Sequence, residues 1–260
     1  MRRMALVLAG IALLGATGAM EVTPHSTLVR TLECLRNNTP SQLSVSDLRV
    51  EAQGTGVTTR FMSGRLYSRR DERGLRAMLH ITAPQDLAGV RYLLVEDEPQ
   101  DALYLYLPSL GKVRRLSGAG PEAQIAGTSL DLGDLRLVSQ ALRAASITME
   151  SATTVGGRPA KQLRFVPAIA DSPYRRIVTA VDDQTCAILR ADFQGADKSL
   201  KHYEIDPASL LRSGRYAYAS RATIEDRVRG TRAQVSLGGV STSAQVSSAL
   251  LDPKSFHKRP

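Results

Sequence analysis

The chain has 260 residues, with 34 Lys+Arg against 25 Asp+Glu and a formal net charge of +9. This length allows one large β domain or two small domains, and either can bury a core. Beyond the N-terminal segment, no stretch of the sequence is apolar enough to cross a membrane.

The first twenty residues have the pattern of an export signal. Two arginines precede an apolar run from Met4 to about Gly15, and small residues follow. This arrangement is typical of a Sec signal peptide, and we expect residues 1–19 to be removed by cleavage after Ala19. An uncleaved anchor is the alternative, although the apolar run is short for a membrane span. The sequence therefore predicts a periplasmic protein with a single domain at residues 20–260.

The exported chain remains basic. Without the two leader arginines it has 32 basic and 25 acidic residues, a net charge of +7. A basic exported protein meets anionic lipid headgroups or acidic partners, and its location argues against nucleic acid as a partner. Net charge that serves only solubility is an equally simple interpretation.

A helix is predicted at the start of the mature chain, because Thr23 is a suitable N-cap and a proline follows at the first helical position. Its apolar face consists of Leu28, Val29, Leu32 and Leu35. Cys34 lies off this face. Because Cys34 and Cys186 are the only cysteines and the compartment is oxidising, we expect a disulfide joining the helix to the sheet. Their wide separation in sequence leaves the geometry of pairing open.

Period-two alternation predicts strands from Ser46 onward. The most informative stretch begins at Asp101, where leucines at 103, 105 and 107 alternate with tyrosines. Pro108 ends this strand, and a return strand at 112–116 carries two arginines. A glycine-rich loop follows at 118–127. An amphipathic helix is then predicted from about Asp131 to Ala145, with Ser129 or Asp131 as its cap.

The remaining chain returns to strands at hairpin spacing, so the sequence predicts a mainly β fold with about eleven antiparallel strands and a few helices. A meander of this size must curl or close to protect its edges. Apart from the one mid-chain helix, no helix is predicted between the strands, which argues against a parallel βαβ fold.

Several of these segments together resemble the LolA/LolB-like lipoprotein-sorting family. The resemblance rests on the aromatic strand ending in Y-L-P, the basic V-R-R return, the glycine loop and the acidic helix start. The residues are Tyr104, Tyr106, Leu107, Pro108, Val113, Arg114, Arg115, Gly127 and Asp134. The order of segments in 192–256, ending in L-D-P-K-S-F, extends the resemblance to roughly Ser46–Phe256.

The resemblance implies an unclosed antiparallel β-barrel wrapped around a helical lid, and a periplasmic carrier of acylated molecules moving toward the outer membrane. Its partners would be a lipid or acylated lipoprotein, with an inner-membrane transporter and an outer-membrane acceptor. The alternative is a non-enzymatic accessory module docked on an envelope transporter of the RND type.

Motifs for catalysis are weak in this sequence. The glycines at 118 and 120 are spaced as in a dinucleotide-binding loop, but the sequence around them does not predict the parallel βαβ unit that such a site needs. The S-x-x-K motif at Ser109–Lys112 falls in a predicted hairpin turn, whereas a nucleophilic serine in this motif needs a helix start. No histidine or cysteine spacing predicts a metal site. We expect neither an enzyme nor a cofactor.

The predicted binding site is therefore an apolar cavity, since burial of an acyl chain carries affinity without catalytic groups. Its wall and lid are predicted from the inward rows of two strands and one face of the mid-chain helix: Leu75, Leu79, Ile81, Leu103, Leu105, Leu107, Leu135, Val138 and Leu142. Arg114 and Arg115 lie at the mouth of the hairpin. Two interpretations are open for them: contact with an anionic headgroup, or a solvated strand edge.

Overall fold

A computed structural model describes residues 24–54, 57–72, 74–96, 101–116, 125, 128, 130–131, 144–167, 172–242 and 247–258. The predicted signal peptide and most of the predicted mid-chain helix, including Leu135, Val138 and Leu142, lie outside the described residues.

One α-helix, sixteen strands and two short 3₁₀ turns are found within the described ranges. They follow the order α1 Pro24–Asn37, β1 Ser44–Gly54, β2 Val57–Asp71, β3 Gly74–Ala83, β4 Arg91–Val95, β5 Ala102–Leu107, β6 Lys112–Arg115, β7 Ser146–Met149, β8 Thr153–Val155, β9 Arg158–Val166, β10 Arg176–Asp182, β11 Ile188–Gln194, β12 Ser199–Ile205, a 3₁₀ turn Pro207–Ser209, β13 Leu210–Ser213, β14 Tyr216–Ala219, β15 Arg221–Asp226, β16 Thr231–Thr242 and a 3₁₀ turn Ser248–Leu251.

The sheet is antiparallel and open. Its strand order is β6-β5-β4-β3-β2-β1-β16-β15-β12-β11-β10-β9-β7, and β8 pairs with β9. β13 and β14 form a separate hairpin. The prediction of an unclosed antiparallel sheet is confirmed. The sixteen described strands outnumber the expected eleven, and two of the breaks that divide the alternating pattern lie at residues 150–152 and at Ser220.

Register divides the large sheet into two faces, because residues directly opposite each other in antiparallel strands share a face. On what we call the inner face, Leu48 lies opposite Gly64, which lies opposite Ile81. On the outer face, Met78 lies opposite Leu93, which lies opposite Tyr104. Both faces are apolar near β3–β5, so both require a cover.

The inner face of β9–β12 is covered by α1. Leu35 is buried, and Leu28 and Leu32 pack with it against a cluster that includes Phe165 and Phe193. The predicted fourth member of this helix face, Val29, is instead 42% exposed. At the end of the helix, the Asn38 side chain both accepts a hydrogen bond from the Ala217 backbone N–H (2.7 Å) and donates one to its carbonyl (3.0 Å).

The outer face of β3–β5 is covered by the C-terminal segment. Phe256 is fully buried there, and its ring lies 6.5 Å from that of Tyr104. Arg91, itself buried, donates from Nη1 to the carbonyls of Phe256 (2.7 Å) and Lys258 (2.6 Å). Two charge-assisted bonds to backbone carbonyls fix the segment to the sheet.

The structure also joins α1 to the sheet covalently. Cys34 and Cys186 form a disulfide whose Cα atoms are 5.6 Å apart and whose partners are 152 residues apart in sequence. Cys186 lies in the β10–β11 turn with φ of +59°, a left-handed conformation unusual for a non-glycine residue. That turn is itself held by Asp182, whose backbone carbonyl accepts from Cys186 N–H at 3.0 Å.

The Asp182 carboxylate is fully buried and paired. Arg158 donates to it twice at 2.8 Å, and Thr185 donates from both its backbone N–H (2.9 Å) and its hydroxyl (2.6 Å). Burial acts to raise the pKa of Asp182, but the bonds from Arg158 and Thr185 outweigh it, so the pKa is below its ordinary value. The ionised carboxylate therefore stabilises the turn that carries Cys186.

We predict that thiol titration of the denatured, unreduced protein will find no free thiol. Replacing both cysteines, as Cys34→Ser with Cys186→Ser, should lower the free energy of unfolding by about 4–5 kcal/mol, since the disulfide closes a long loop in the unfolded chain. Denaturant unfolding measures that loss. Two titratable thiols in the untreated protein would contradict the pairing.

We also predict that Asp182→Asn lowers the free energy of unfolding at pH 7 by about 3 kcal/mol, near the low end for breaking a buried pair because Arg158 is partly exposed. A carboxylate with a depressed pKa stabilises the fold above its unfolded pKa, and this contribution is lost as the pH falls through the folded value. The difference between the variant and the parent should therefore shrink below about pH 4.

The matched control is Asp183→Asn, one residue away, where the carboxylate forms a partly exposed pair with Lys161 at 3.0 Å. It should cost under about 1 kcal/mol. Equal losses for the two variants, or a difference independent of pH, would contradict the role assigned to Asp182.

Candidate functional site

The site predicted from sequence lies on the inner face of β1–β5. Its centre is a buried apolar cluster formed by Leu48, Val50, Ala52, Met62, Leu79, Ile81, Val90, Leu103, Ile125, Leu130, Ile224 and Ala233. Three predicted wall residues, Leu79, Ile81 and Leu103, belong to this cluster, and Leu105 and Leu107 pack against it. The structure thus brings together five of the six wall residues that it describes.

Leu75 is the exception. It lies in the inward row of β3 but at the hairpin end of the strand, opposite Arg70, and only half-buried. Its backbone N–H donates to the buried Glu96 carboxylate at 2.9 Å. Period two assigned it to the correct face, but the cluster ends before this position, so Leu75 is not part of the wall.

A segment between β6 and β7 covers this wall. These two strands are the opposite edges of the described sheet, and three described residues between them are buried on or packed against its inner face. Ile125 and Leu130 are buried in the inner-face cluster, and Ala144 packs against the cluster beneath α1. Ala145 N–H then bonds to the Val166 carbonyl at 2.9 Å, which brings the chain to the β9 edge. We call residues 125–131, at the described positions 125, 128, 130 and 131, the crossing segment.

An ion pair fixes the crossing segment to the sheet. Asp131 pairs with Lys201 of β12, and both side chains are almost fully buried, at 1% and 3% exposure. From sequence, Asp131 was interpreted as a helix cap or a helix N-terminal charge, and its buried partner was missed. The available signal was Lys201 itself, a charged residue in the same alternating row as Tyr203 and Ile205.

The two predicted headgroup residues lie on opposite faces of β6. Arg114 is opposite the wall residue Leu105, on the inner face, whereas Arg115 is opposite Tyr104, on the outer face. Both side chains are exposed. The two arginines therefore cannot contact one headgroup from the same side of the sheet, because adjacent residues of a strand point in opposite directions.

Two grooves occur elsewhere on the described surface. One has a volume of about 330 Å³ and lies beside the disulfide, between Arg30 and Thr31 of α1 and Lys161 and Asp183 of the sheet. The other, of about 320 Å³, lies over β15 and β16 beside the Asp206–Arg221 ion pair. Their linings include charged and polar side chains, which distinguishes both grooves from the leucine wall.

Among the described residues, no three His, Cys, Asp or Glu side chains are grouped so as to hold a metal ion. Within the same ranges, no helix has both the length and the apolar character needed to span a membrane.

The fold is shared with several solved structures. A DUF1329 family protein from Desulfovibrio piger has a TM-score of 0.78 at 20% identity, over 88% of this chain and 97% of that one. A domain described as an outer membrane lipoprotein-sorting protein, from Vibrio parahaemolyticus, has a TM-score of 0.78 at 16% identity, over 89% and 98%.

A LolA superfamily protein from Nitrosomonas europaea has a TM-score of 0.67 at 13% identity, over 86% of this chain and 96% of that one. At these identities the likeness establishes that this chain shares the fold of these three structures. No curated protein matches the sequence. A family model for uncharacterized proteins matches residues 74–258, well over half of the chain. The chain therefore belongs to this DUF1329-like family of uncharacterized proteins.

Proposed function

We propose that this protein is a periplasmic, non-enzymatic carrier that binds the acyl chains of a lipid or lipoprotein against its inner face and moves them toward the outer membrane. The observation that carries the proposal is the composition of the inner-face cover. Among the described residues, Ile125 and Leu130 of the crossing segment cover the wall of β1–β5, rather than a second sheet, and Asp131 pairs with Lys201.

The cover and an acyl chain need the same surface. Ile125 and Leu130 are buried against Leu79, Ile81 and Leu103. A bound acyl chain would replace those contacts, so binding and displacement of the cover are linked. Burial of about 16 methylenes gains roughly 13 kcal/mol before the costs of binding, at ~0.8 kcal/mol each. This gain is large compared with the burial of Ile125 and Leu130, the two aliphatic side chains described in the crossing segment.

The wall suits a flexible aliphatic chain. The sequence has no Trp and only 4 Phe. The buried members of the inner-face cluster are Leu, Ile, Val, Met and Ala, and Tyr92 and Tyr203 pack against them. Such a surface is mainly aliphatic, with few polar groups to select a rigid ligand. The similarity to a lipoprotein-sorting domain supports the same interpretation. An inner-membrane transporter as donor and an outer-membrane acceptor complete the proposed path.

The proposal predicts that Leu105→Gln weakens capture of a fluorescent fatty acid by about tenfold, because an amide is buried unpaired in the bound state. Leu105 is only partly buried in the free protein, so a cooperative unfolding transition should persist. Fluorescence titration measures the capture, and thermal unfolding monitors the fold.

The matched control is Leu110→Gln, in the turn of the same hairpin, where the leucine is 52% exposed. It should leave the affinity unchanged within about twofold. If the parent protein captures no acyl chain, or if both variants weaken capture equally, the carrier proposal fails and a docking module on an envelope transporter takes its place.

A further inference from the structure

We infer that the proposed carrier selects acylated molecules with an anionic headgroup, and that Lys112 and Arg114 bind that headgroup at the β6 edge of the inner face. The inference rests on the proposed function and adds the chemical class of the cargo. It starts from the register of the β5–β6 hairpin, which places Lys112 opposite Leu107 and Arg114 opposite Leu105.

These cations border the apolar wall directly. Leu105 and Leu107 pack against the inner-face cluster, and so does Leu116, which follows directly after the end of β6. β6 is the edge strand, so both basic side chains are exposed beside the wall rather than buried within it. An acyl chain lying along the leucines would therefore place its polar end next to two positive charges.

Neither Lys112 nor Arg114 forms an ion pair with any described residue. Most other basic side chains of the sheet have a carboxylate partner, as Arg158 has Asp182 and Lys161 has Asp183. On the inner face Arg114 lies opposite Leu105, with Lys112 two residues before it, so no acid among the described neighbours competes for its guanidinium. Near an apolar surface a guanidinium–phosphate or guanidinium–carboxylate contact is stronger than in bulk water.

The spacing of the two cations also suits a headgroup. Alternate residues of a strand are about 6.6–6.8 Å apart, and both side chains are long and flexible. They can therefore converge on one phosphate or carboxylate from the same side of the sheet. Arg115, one residue further along β6, is on the outer face opposite Tyr104 and cannot join them without crossing the sheet.

The experiment compares Arg114→Gln with Arg115→Gln, two equal losses of charge at adjacent positions. Each is titrated with two fluorescent lipids that carry the same acyl chain, one with a phosphoglycerol headgroup and one with phosphocholine. The parent protein should prefer the anionic lipid. Arg114→Gln should weaken binding of the anionic lipid by about tenfold and change binding of the zwitterionic lipid by less than about twofold.

Arg115→Gln should change neither affinity by more than about twofold, and Lys112→Gln should resemble Arg114→Gln with a smaller effect. Free glycerol phosphate, added as a competitor without an acyl chain, should not displace the lipid at equimolar concentration, because the chain supplies most of the affinity. Displacement at that concentration would indicate a free-phosphate site and overturn the inference.

Equal losses for Arg114→Gln and Arg115→Gln would also overturn it, since net charge rather than a located site would then attract the lipid. A parent protein that binds both lipids equally would likewise overturn the inference. These outcomes leave the carrier proposal intact, because an acyl chain is still captured. If the parent protein binds neither lipid, the result contradicts the carrier proposal itself.

Discussion

The fold is governed by the need to cover an apolar face that the open sheet cannot cover by itself. Thirteen strands in one antiparallel path have an inner face rich in aliphatic residues, and β6 and β7 remain unjoined at its edges. Burial of that surface supplies the main favourable term in folding. Two separate elements provide the cover: α1 over β9–β12, and the crossing segment over β1–β5.

The two covers are attached in different ways, and the difference bears on function. α1 is held by a disulfide, by two hydrogen bonds from Asn38 and by three packed leucines. The crossing segment is held by Ile125, Leu130 and the buried pair of Asp131 with Lys201. A buried ion pair adds little net stability compared with apolar residues of similar volume, but it fixes geometry. The described part of the crossing segment is thus positioned without a covalent bond, which suits its proposed role as a cover that a ligand displaces.

Much of this arrangement is readable from sequence, because period-two patterns report which residues share a face. They placed Leu79, Ile81, Leu103, Leu105 and Leu107 in one wall. These patterns do not indicate where along a strand the core ends, so Leu75 was included in the wall although the cluster ends before it. They also do not indicate which distant residue pairs with a buried charge, so Lys201 was missed. The same rule, applied to β6, would have separated Arg114 from Arg115; the mouth of the hairpin was read instead as one basic patch.

The most direct test of the account is to ask what the protein carries when it is made. The full chain would be expressed with its predicted leader in a Gram-negative host, purified from the periplasm without detergent, and extracted with organic solvent for lipid mass spectrometry. The account predicts acylated molecules in near-stoichiometric amount, enriched over a periplasmic protein of similar charge purified in parallel. A protein free of acyl chains, which also takes up none when mixed with lipid, would contradict it.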